Sequence, residues 1–272
     1  IKESLYPFSD FAILYRTNAQ SRALEEAFLH ERVSYRLVGG LRFYERKEIK
    51  DILAHLRVIA NPKDTVALNR IEKLGKTRLK KFLAATLDID STSKPIALIE
   101  SVLDKTDYLL LIDDGSDQGA TRVENVKELK SVASGFENLD SFLENVALME
   151  SGYTPSGRLK SDEGPKVTLM TVHAAKGLEF PVVFLVGMEE GLFPHSRSLM
   201  EPDQLEEERR LAYVAITRAK EKLYMTYTRE RLYFGARTSS VISRFVIDIP
   251  QNLLLPLGGL NLPERPEYVD NY

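Results

Sequence analysis

The chain has 272 residues, 43% of them hydrophobic, and a formal net charge of −3 from 37 basic and 40 acidic side chains. This length and apolar content allow one large domain or two ordinary ones, and the charge excludes a globally basic, histone-like DNA binder but not a local basic groove. The absence of cysteine excludes disulfides, thiolate metal sites and cysteine nucleophiles.

The remaining composition argues against metal and membrane sites. The four histidines include no pair at i, i+4 spacing, so the sequence predicts no zinc site. No apolar run reaches membrane-spanning length, and no signal peptide is visible. Because the sequence starts at Ile1 and strand-like residues follow almost at once, we expect a fragment of a longer cytoplasmic protein.

The first elements predict a parallel sheet flanked by helices. Residues 11–15 form a short apolar run typical of a buried parallel strand, and residues 35–38 predict a second strand. Asn18 is predicted to cap a helix. The apolar face of that helix is Ala23, Leu24, Ala27 and Phe28. Residues 45–60 have the 3.6-residue periodicity of a helix, which Asn61-Pro62 ends.

The middle of the chain has a different character. From residue 64 to about residue 150 the sequence predicts helices and no good strand, and residues 151–165 predict a linker. Strands are predicted again at 167–172, 182–186 and 223–227, with a helix at 204–216 and a poorly ordered tail after residue 248.

The order α/β, all-α, α/β predicts one parallel-sheet domain built from both ends of the chain with an all-α domain inserted in it. We place the sheet domain at residues 1–63 and 164–250, the insert at 64–163 and a tail at 251–272. Two separate small α/β domains are the alternative.

Arg16 follows the first strand directly, with Tyr15 beside it at the strand's end. Ligands gather at the carboxyl ends of parallel strands, where a tyrosine ring can stack on a base and a guanidinium can pair with phosphate. A core tyrosine and a surface salt bridge are the alternative interpretation.

Arg218 follows a predicted helix and precedes a predicted strand. Arginine is favourable near a helix C-terminus without any ligand, because it complements the helix dipole. The functional interpretation is an arginine finger, which offsets charge on a transferring phosphoryl group. The run Glu206-Glu207-Glu208 is interpreted as a solvated first turn of that helix.

The segment His173-Ala174-Ala175-Lys176-Gly177 leaves a strand end on small side chains. His173 and Lys176 can reach phosphates, and Glu179 can accept a hydrogen bond from a ribose hydroxyl. A tight turn with solvated charges is the alternative.

A basic turn at residues 73–81 resembles a phosphate-binding loop only superficially. The pattern G-x-x-x-x-G-K-[ST] requires glycine where this chain has Arg70, and the segment follows a helix. Lys76, Arg78 and Lys80 around Gly75 instead predict a contact with a DNA backbone, with a solvated helix face as the alternative.

Taken together, the chain resembles the second motor half of UvrD/Rep/PcrA-type superfamily 1 DNA helicases. The resemblance rests on five stretches in family order, at residues 11–18, 35–51, 167–180, 182–195 and 206–219. It implies a RecA-like domain, called 2A, that carries an inserted helical domain, 2B. The insert is shorter than is usual in the family, and the basic turn has one glycine where two are common.

The resemblance also implies roles for particular residues. Tyr15 would stack near the adenine, Arg16 and Arg218 would reach the γ-phosphate, Glu179 would meet the ribose, and His173 would meet the DNA strand. The basic turn around Gly75 is similar to the helix–hairpin–helix element that touches duplex DNA.

The implied whole protein is an ATP-dependent helicase that uses ATP and Mg²⁺ and steps along single-stranded DNA, usually 3′ to 5′, in repair, replication or recombination. Its implied partners are the N-terminal RecA-like half with the Walker motifs, single-stranded DNA, the duplex junction and repair proteins. The alternatives are the helicase subunit of a recombination helicase–nuclease and a non-hydrolysing binding module with a motor-like fold.

Overall fold

The computed structural model of the protein describes residues 5–87, 90–151, 164–233 and 236–257. The strands are β1 (Phe11–Tyr15), β2 (Tyr35–Val38), β3 (Val167–Thr171), β4 (Phe180–Val186), β5 (Ala219–Thr226), β6 (Glu230–Tyr233) and β7 (Ala236–Ser239). The helices are α1 (Ser21–His30), α2 (Lys47–Ala60), α3 (Thr65–Glu72), α4 (Lys76–Ala85), α5 (Pro95–Thr106), α6 (Tyr108–Ile112), α7 (Asp117–Ala133), α8 (Leu139–Ser151), α9 (Pro202–Ile216) and α10 (Arg244–Ile247).

The main sheet has five strands in the order β2-β3-β1-β4-β5, and β6 pairs with β7 separately. β1 pairs in parallel with both β3 and β4, and β4 pairs in parallel with β5. All five residues of β1 are buried, which explains why its sequence is apolar without alternation. The predicted α/β class with a parallel sheet is confirmed.

The parallel pairing sorts the strand ends onto two edges of the sheet. Tyr15 at the end of β1 lies beside Thr171 at the end of β3, so their carboxyl ends share one edge. Phe180 at the start of β4 lies beside Ala219 at the start of β5, so their amino ends share the opposite edge. Residues 172–179 therefore cross from the carboxyl edge to the amino edge.

The chain divides into two compact units. We call Ile1–Arg16, Pro165–Arg231 and Ser239–Tyr272 the sheet unit, and Thr17–Gly164 with Leu232–Thr238 the helical unit. The domain boundaries at 63–64 and 163–164 stay a proposal: the second lies one residue from a division between the units, whereas the first lies within the helical unit.

The predicted linker and the predicted C-terminal tail lie largely outside the described residues. Of the predicted linker at 151–165, residues 152–163 lie outside the described residues, as do residues 258–272 of the predicted tail. Among the described residues, none of the helices combines the length and the apolar character that a membrane crossing needs.

Helix α2 forms the centre of the helical unit. Ile49, Ile52, Leu53 and Leu56 are fully buried in its main core. The helix begins at Lys47 rather than at the predicted residue 45, because residues 43–45 form a 3₁₀ turn and Arg46 is extended. It ends before Asn61, which is extended as expected for a residue that precedes proline.

Helix α1 buries a different face from the predicted one. Its buried residues are Ser21 and Glu25, whereas Ala23 and Ala27 are exposed. Ser21 Oγ donates to Glu25 Oε1 at 2.7 Å, and the buried Arg46 donates to Ser21 Oγ at 2.7 Å. Leu24 and Phe28 of the predicted face are half-buried, so the prediction holds in part, but the fully buried face of α1 is a polar cluster. The predicted N-cap Asn18 lies instead in a 3₁₀ turn that Thr17 caps.

Candidate functional site

Arg218 lies in the short turn between α9 and β5. Its Nε donates to Val214 O at 2.8 Å, Nη1 to Leu178 O at 3.0 Å and Nη2 to Thr217 Oγ1 at 3.0 Å. All three acceptors are uncharged, and within the described part of the chain no carboxylate pairs with this guanidinium. The side chain is half-buried. Arg218 is thus a positioned cation whose charge is available to an incoming anion.

Glu179 lies beside Arg218 at the amino edge of the sheet. The residues on both sides of Glu179 form hydrogen bonds with Arg218. Leu178 O accepts from the Arg218 side chain, and Phe180 N donates to the Arg218 carbonyl at 2.9 Å. The carboxylate of Glu179 is 55% exposed and lies 3.6 Å from Lys220 Nζ. Because an exposed ion pair contributes little, the carboxylate stays open to a hydroxyl donor.

The connection after β3 begins with a short 3₁₀ turn. Ala174 N donates to Thr171 Oγ1 at 3.3 Å, and Lys176 N donates to His173 O at 3.4 Å. Gly177 has φ +83°, a left-handed conformation that favours glycine. The side chains of His173 and Lys176 are exposed. The turn therefore presents an imidazole and an ammonium at the surface, as both the DNA-contact and the tight-turn interpretations require.

Tyr15 and Arg16 are engaged within the protein. Tyr15 is 1% exposed, so neither face of its ring is accessible in this conformation. Arg16 Nε lies 3.0 Å from each carboxylate oxygen of Glu208, and Arg16 Nη2 lies 2.6 Å from Oε1. Glu208 Oε2 also accepts from His195 N at 3.0 Å. The Glu208 carboxylate thus connects α9 with the end of β1 and with the loop at residues 187–201.

The sequence reasoning missed Glu208. Its side chain is 5% exposed, so the prediction of a solvated acidic turn is wrong for this residue. Glu206 and Glu207 do lie at the surface, where they pair with Arg209 and Arg210. The signal was present in the spacing, because α9 buries Glu208, Ala212 and Ala215 at i, i+4 and i+7.

A second buried carboxylate was also missed. Glu189 is 2% exposed and accepts hydrogen bonds from Arg231 Nη2 at 2.7 Å, Arg231 Nε at 2.9 Å and Thr228 N at 3.0 Å. Burial alone would raise the pKa of Glu189, but the hydrogen bonds and charge of Arg231 outweigh it and hold the pKa below its usual value. The segment Gly187–Gly191 thereby has a structural function, because its Glu189 holds Arg231 and the backbone at Thr228.

The candidate residues of the sheet unit fall into two groups. Arg218 and Glu179 lie together at the amino edge, beside the starts of β4 and β5. Tyr15 ends β1, Arg16 follows it, and His173 comes just after the end of β3, so these residues lie at the carboxyl edge. The structure therefore does not gather all predicted nucleotide contacts at one edge of the sheet.

The basic turn lies between α3 and α4 in the helical unit. Gly75 is the N-cap of α4 with φ +125° and offers no side-chain cap to the first amides of the helix. Lys76 and Lys80 are exposed. Arg78 is half-buried, donates to Leu74 O at 3.4 Å, and has a buried Nε without a hydrogen-bond partner among the described residues. The two lysines and the open helix start suit an anion.

Comparison with known proteins gives a consistent result over most of the chain. The family model described as the UvrD-like helicase C-terminal domain matches residues 1–113 and 91–230. The ATP-dependent DNA helicase PcrA of Bacillus subtilis is 42% identical over 310 aligned positions, which cover 95% of this chain and 41% of that protein. The proteins of the same name from Staphylococcus epidermidis and Staphylococcus aureus are 39% and 37% identical, each over 91% of this chain and 40% of their own length.

The matches cover only part of each relative. The chain spans about two fifths of the length of the curated relatives it matches. The alignment with the Bacillus subtilis protein has 310 positions against 272 residues in this chain, so that relative carries residues without a counterpart here.

Proposed function

Since the chain belongs to the UvrD-like helicase C-terminal domain family, we propose that it is the second motor half of an ATP-dependent DNA helicase that moves along single-stranded DNA and unwinds duplex. A partner half supplies the phosphate cradle and the Mg²⁺-holding acid, which the motifs of this chain do not include. Movement is 3′ to 5′, as the resemblance implies, in repair, replication or recombination.

The observation that carries the proposal is the setting of Arg218. Its three hydrogen bonds hold the guanidinium in place through uncharged oxygens, so the positive charge is not compensated inside the sheet unit. ATP supplies a γ-phosphoryl group whose charge changes during transfer, and a positioned arginine stabilises that charge. Glu179, held beside Arg218, accepts a hydrogen bond from the ribose.

We assign the DNA contacts to two other surfaces. His173 and Lys176 in the turn after β3 meet single-stranded DNA, since both are exposed and can donate to phosphates. Lys76, Arg78 and Lys80 meet the duplex.

Arg16 and Tyr15 receive less support as nucleotide contacts. The Arg16 guanidinium already pairs with Glu208, and the Tyr15 ring is buried. The Arg16 charge is thus already compensated by Glu208, and a base could reach the Tyr15 ring only if a core side chain became exposed. We therefore propose that Arg16 positions α9, the helix that leads to Arg218, and that Tyr15 packs in the core.

The test is Arg218→Ala in the full-length protein. We expect ATP turnover to fall by roughly 10³- to 10⁵-fold while ATP affinity changes far less, because an arginine finger acts mainly on charge that develops in the transition state. Loss of its hydrogen bonds costs about 1–3 kcal/mol of stability. Arg218→Lys should not restore turnover, because lysine lacks the planar fork. The measurements are kcat, ATP affinity and melting temperature.

Arg210→Ala is the matched control. Arg210 lies on α9, the helix that precedes Arg218, but it is exposed and pairs with Glu207 at 2.8 Å. This variant should keep turnover nearly normal. If Arg218→Ala retains kcat within about tenfold of the parent and loses only stability, the arginine serves the helix end and the finger assignment is wrong.

A further inference from the structure

A charged groove runs between α2 and α3 within the helical unit. It encloses about 780 Å³. Its basic side chains are Lys47, Lys50, Arg57, Arg70 and Lys73, and its acidic side chains are Asp51, Asp64 and Glu150. The lining thus carries an excess of positive charge, although the chain as a whole is acidic.

Each acidic side chain of the groove is bonded to a group other than a lysine, so among the residues that the structure describes the charges of the groove lysines have no carboxylate partner. Asp51 is 2% exposed and accepts from Arg70 Nε at 2.7 Å and from Tyr108 OH at 2.8 Å. Glu150 accepts from Arg57 Nη2 at 2.7 Å. Asp64 caps α3 by accepting from Ala67 N at 2.9 Å. Each carboxylate is thereby committed to another group.

The three lysines retain their charge for an external partner. Within the described residues, no carboxylate lies in ion-pair distance of Lys47, Lys50 or Lys73. On α2, Lys47, Lys50 and Arg57 fall at i, i+3 and i+10 on one face, a stripe about 15 Å long at 1.5 Å per residue. Lys73 continues the positive charge into the basic turn, whose residues begin at this position.

We propose that this groove binds the phosphodiester backbone of duplex DNA and extends the contact made by the basic turn. The inference rests on the proposed function, in which the helical unit meets the duplex. A row of uncompensated lysines suits a repeating anion, which releases counterions when it binds. A protein partner fits less well, because interfaces centre on buried aromatic or arginine anchors. None of the residues that line the groove is aromatic, and its two arginines, Arg57 and Arg70, already pair with carboxylates.

The test compares three variants of the full-length protein. Lys47→Ala with Lys50→Ala removes groove charge and leaves Lys73 in place, Lys76→Ala with Lys80→Ala removes charge from the basic turn, and Lys94→Ala with Lys105→Ala is the matched control. The control lysines lie at or on α5, outside the groove, and already pair with acids. The probe is a fluorescent duplex with a 3′ single-stranded tail, titrated at several salt concentrations, with a single strand of equal length for comparison.

We expect the groove variant to lower the slope of log affinity against log salt by about 2 and to weaken duplex binding on the order of tenfold at 200 mM salt. The control variant and single-strand binding should not change. The inference is overturned if the groove variant matches the control while the basic-turn variant loses slope, and in that case the proposed DNA function survives. If the parent protein does not bind the duplex, both the proposed function and the inference fail. Circular dichroism verifies that each variant is folded.

Discussion

His55 is a titratable side chain held in the core of the helical unit. It is 1% exposed, and its ring contacts the Phe82 ring at 4.6 Å between centroids. Nδ1 lies 2.7 Å from Asp51 O, which fixes the proton on that nitrogen, and Nε2 is buried without a hydrogen-bond partner among the described residues. Burial disfavours the charged imidazolium and lowers the pKa of His55 to about 4.

This pKa predicts a loss of stability in mild acid. An unfolded histidine has a pKa of about 6.5, so between pH 6.5 and pH 4 the unfolded chain binds a proton that the folded chain excludes. The contribution of His55 is fully present above pH 6.5 and falls as the pH decreases toward 4. Between pH 6.5 and pH 5 we expect a loss of about 2 kcal/mol, measured by urea unfolding at each pH.

Two variants separate His55 from other acid effects. His55→Leu should remove this part of the pH dependence, even if it changes stability at neutral pH. His30→Gln removes an exposed histidine, whose side chain is 85% exposed, and should leave the pH dependence unchanged. An equal pH dependence in His55→Leu and in the parent would show that His55 does not titrate as its burial implies. Glu189 also contributes less stability in acid, but only as the pH falls below the usual pKa of a glutamate, because the pKa of Glu189 is lowered in the folded protein.

At the residue scale, the sequence predicted positions better than environments. Arg218 and Glu179 lie together because each precedes a strand that starts at the same edge, which chain order and parallel pairing imply. The burial of Tyr15 follows from its place in the buried strand that the apolar run predicts. The pairing of Arg16 with Glu208, by contrast, is a contact across 192 residues, which local patterns do not encode. Their roles at the nucleotide remain a prediction.

The basic turn is the element for which mutation gives the clearest expectation. Lys76→Ala with Lys80→Ala should weaken binding to tailed duplex and reduce the log–log salt slope by about 1 for each phosphate that the variant no longer binds. We leave Arg78 in place because its half-buried head bonds to Leu74 O and its removal would also disturb α4. Fluorescence anisotropy across a salt series measures both quantities.

The Lys94→Ala, Lys105→Ala variant serves again as the charge control. An unchanged slope in the basic-turn variant would leave these lysines as an ordinary solvated helix face. A slope that falls equally in the control would indicate a general charge effect rather than a direct interaction with phosphate.

At the element scale, periodicity located helices well but did not always identify the buried face. The apolar row of α2 packs in the core as its periodicity predicts, and apolar rows of α7 and α8 pack there too. In α1 the small residues Ala23 and Ala27 have the spacing of a core face, whereas the buried positions are polar and satisfied by Arg46 and the Phe43 amide. A hydrophobic pattern does not predict a buried polar network, because the partners of that network come from other segments.

For the whole molecule, we expect the isolated chain to fold without hydrolysing ATP. It has two compact units with buried cores, but its sequence lacks the G-x-x-x-x-G-K-[ST] cradle that hydrolysis requires. The purified chain should unfold cooperatively on heating and show no DNA-stimulated ATP turnover, with the full-length protein as the positive reference.

A contaminating ATPase is excluded by preparing the same chain with Arg218→Ala. Turnover that is equal in both preparations comes from a contaminant. Turnover that is present in the parent chain and absent from Arg218→Ala would belong to the chain itself, and the half-motor assignment would then be wrong.

The central position of β1 has a consequence for synthesis on the ribosome. β1 pairs on one side with β3 and on the other with β4, yet residues 17–164 are translated between it and the first of these partners. Helices α1–α8 can pack in that interval. During it, the apolar residues 11–15 have no partner strand on either side, so their backbone N–H and C=O groups stay unpaired. Such long-range closure is slow, and an unpaired apolar strand is prone to mispairing. Chains that stop after residue 164 would therefore carry helices α1–α8 and a permanently unpaired β1, which makes them candidates for chaperone capture and aggregation.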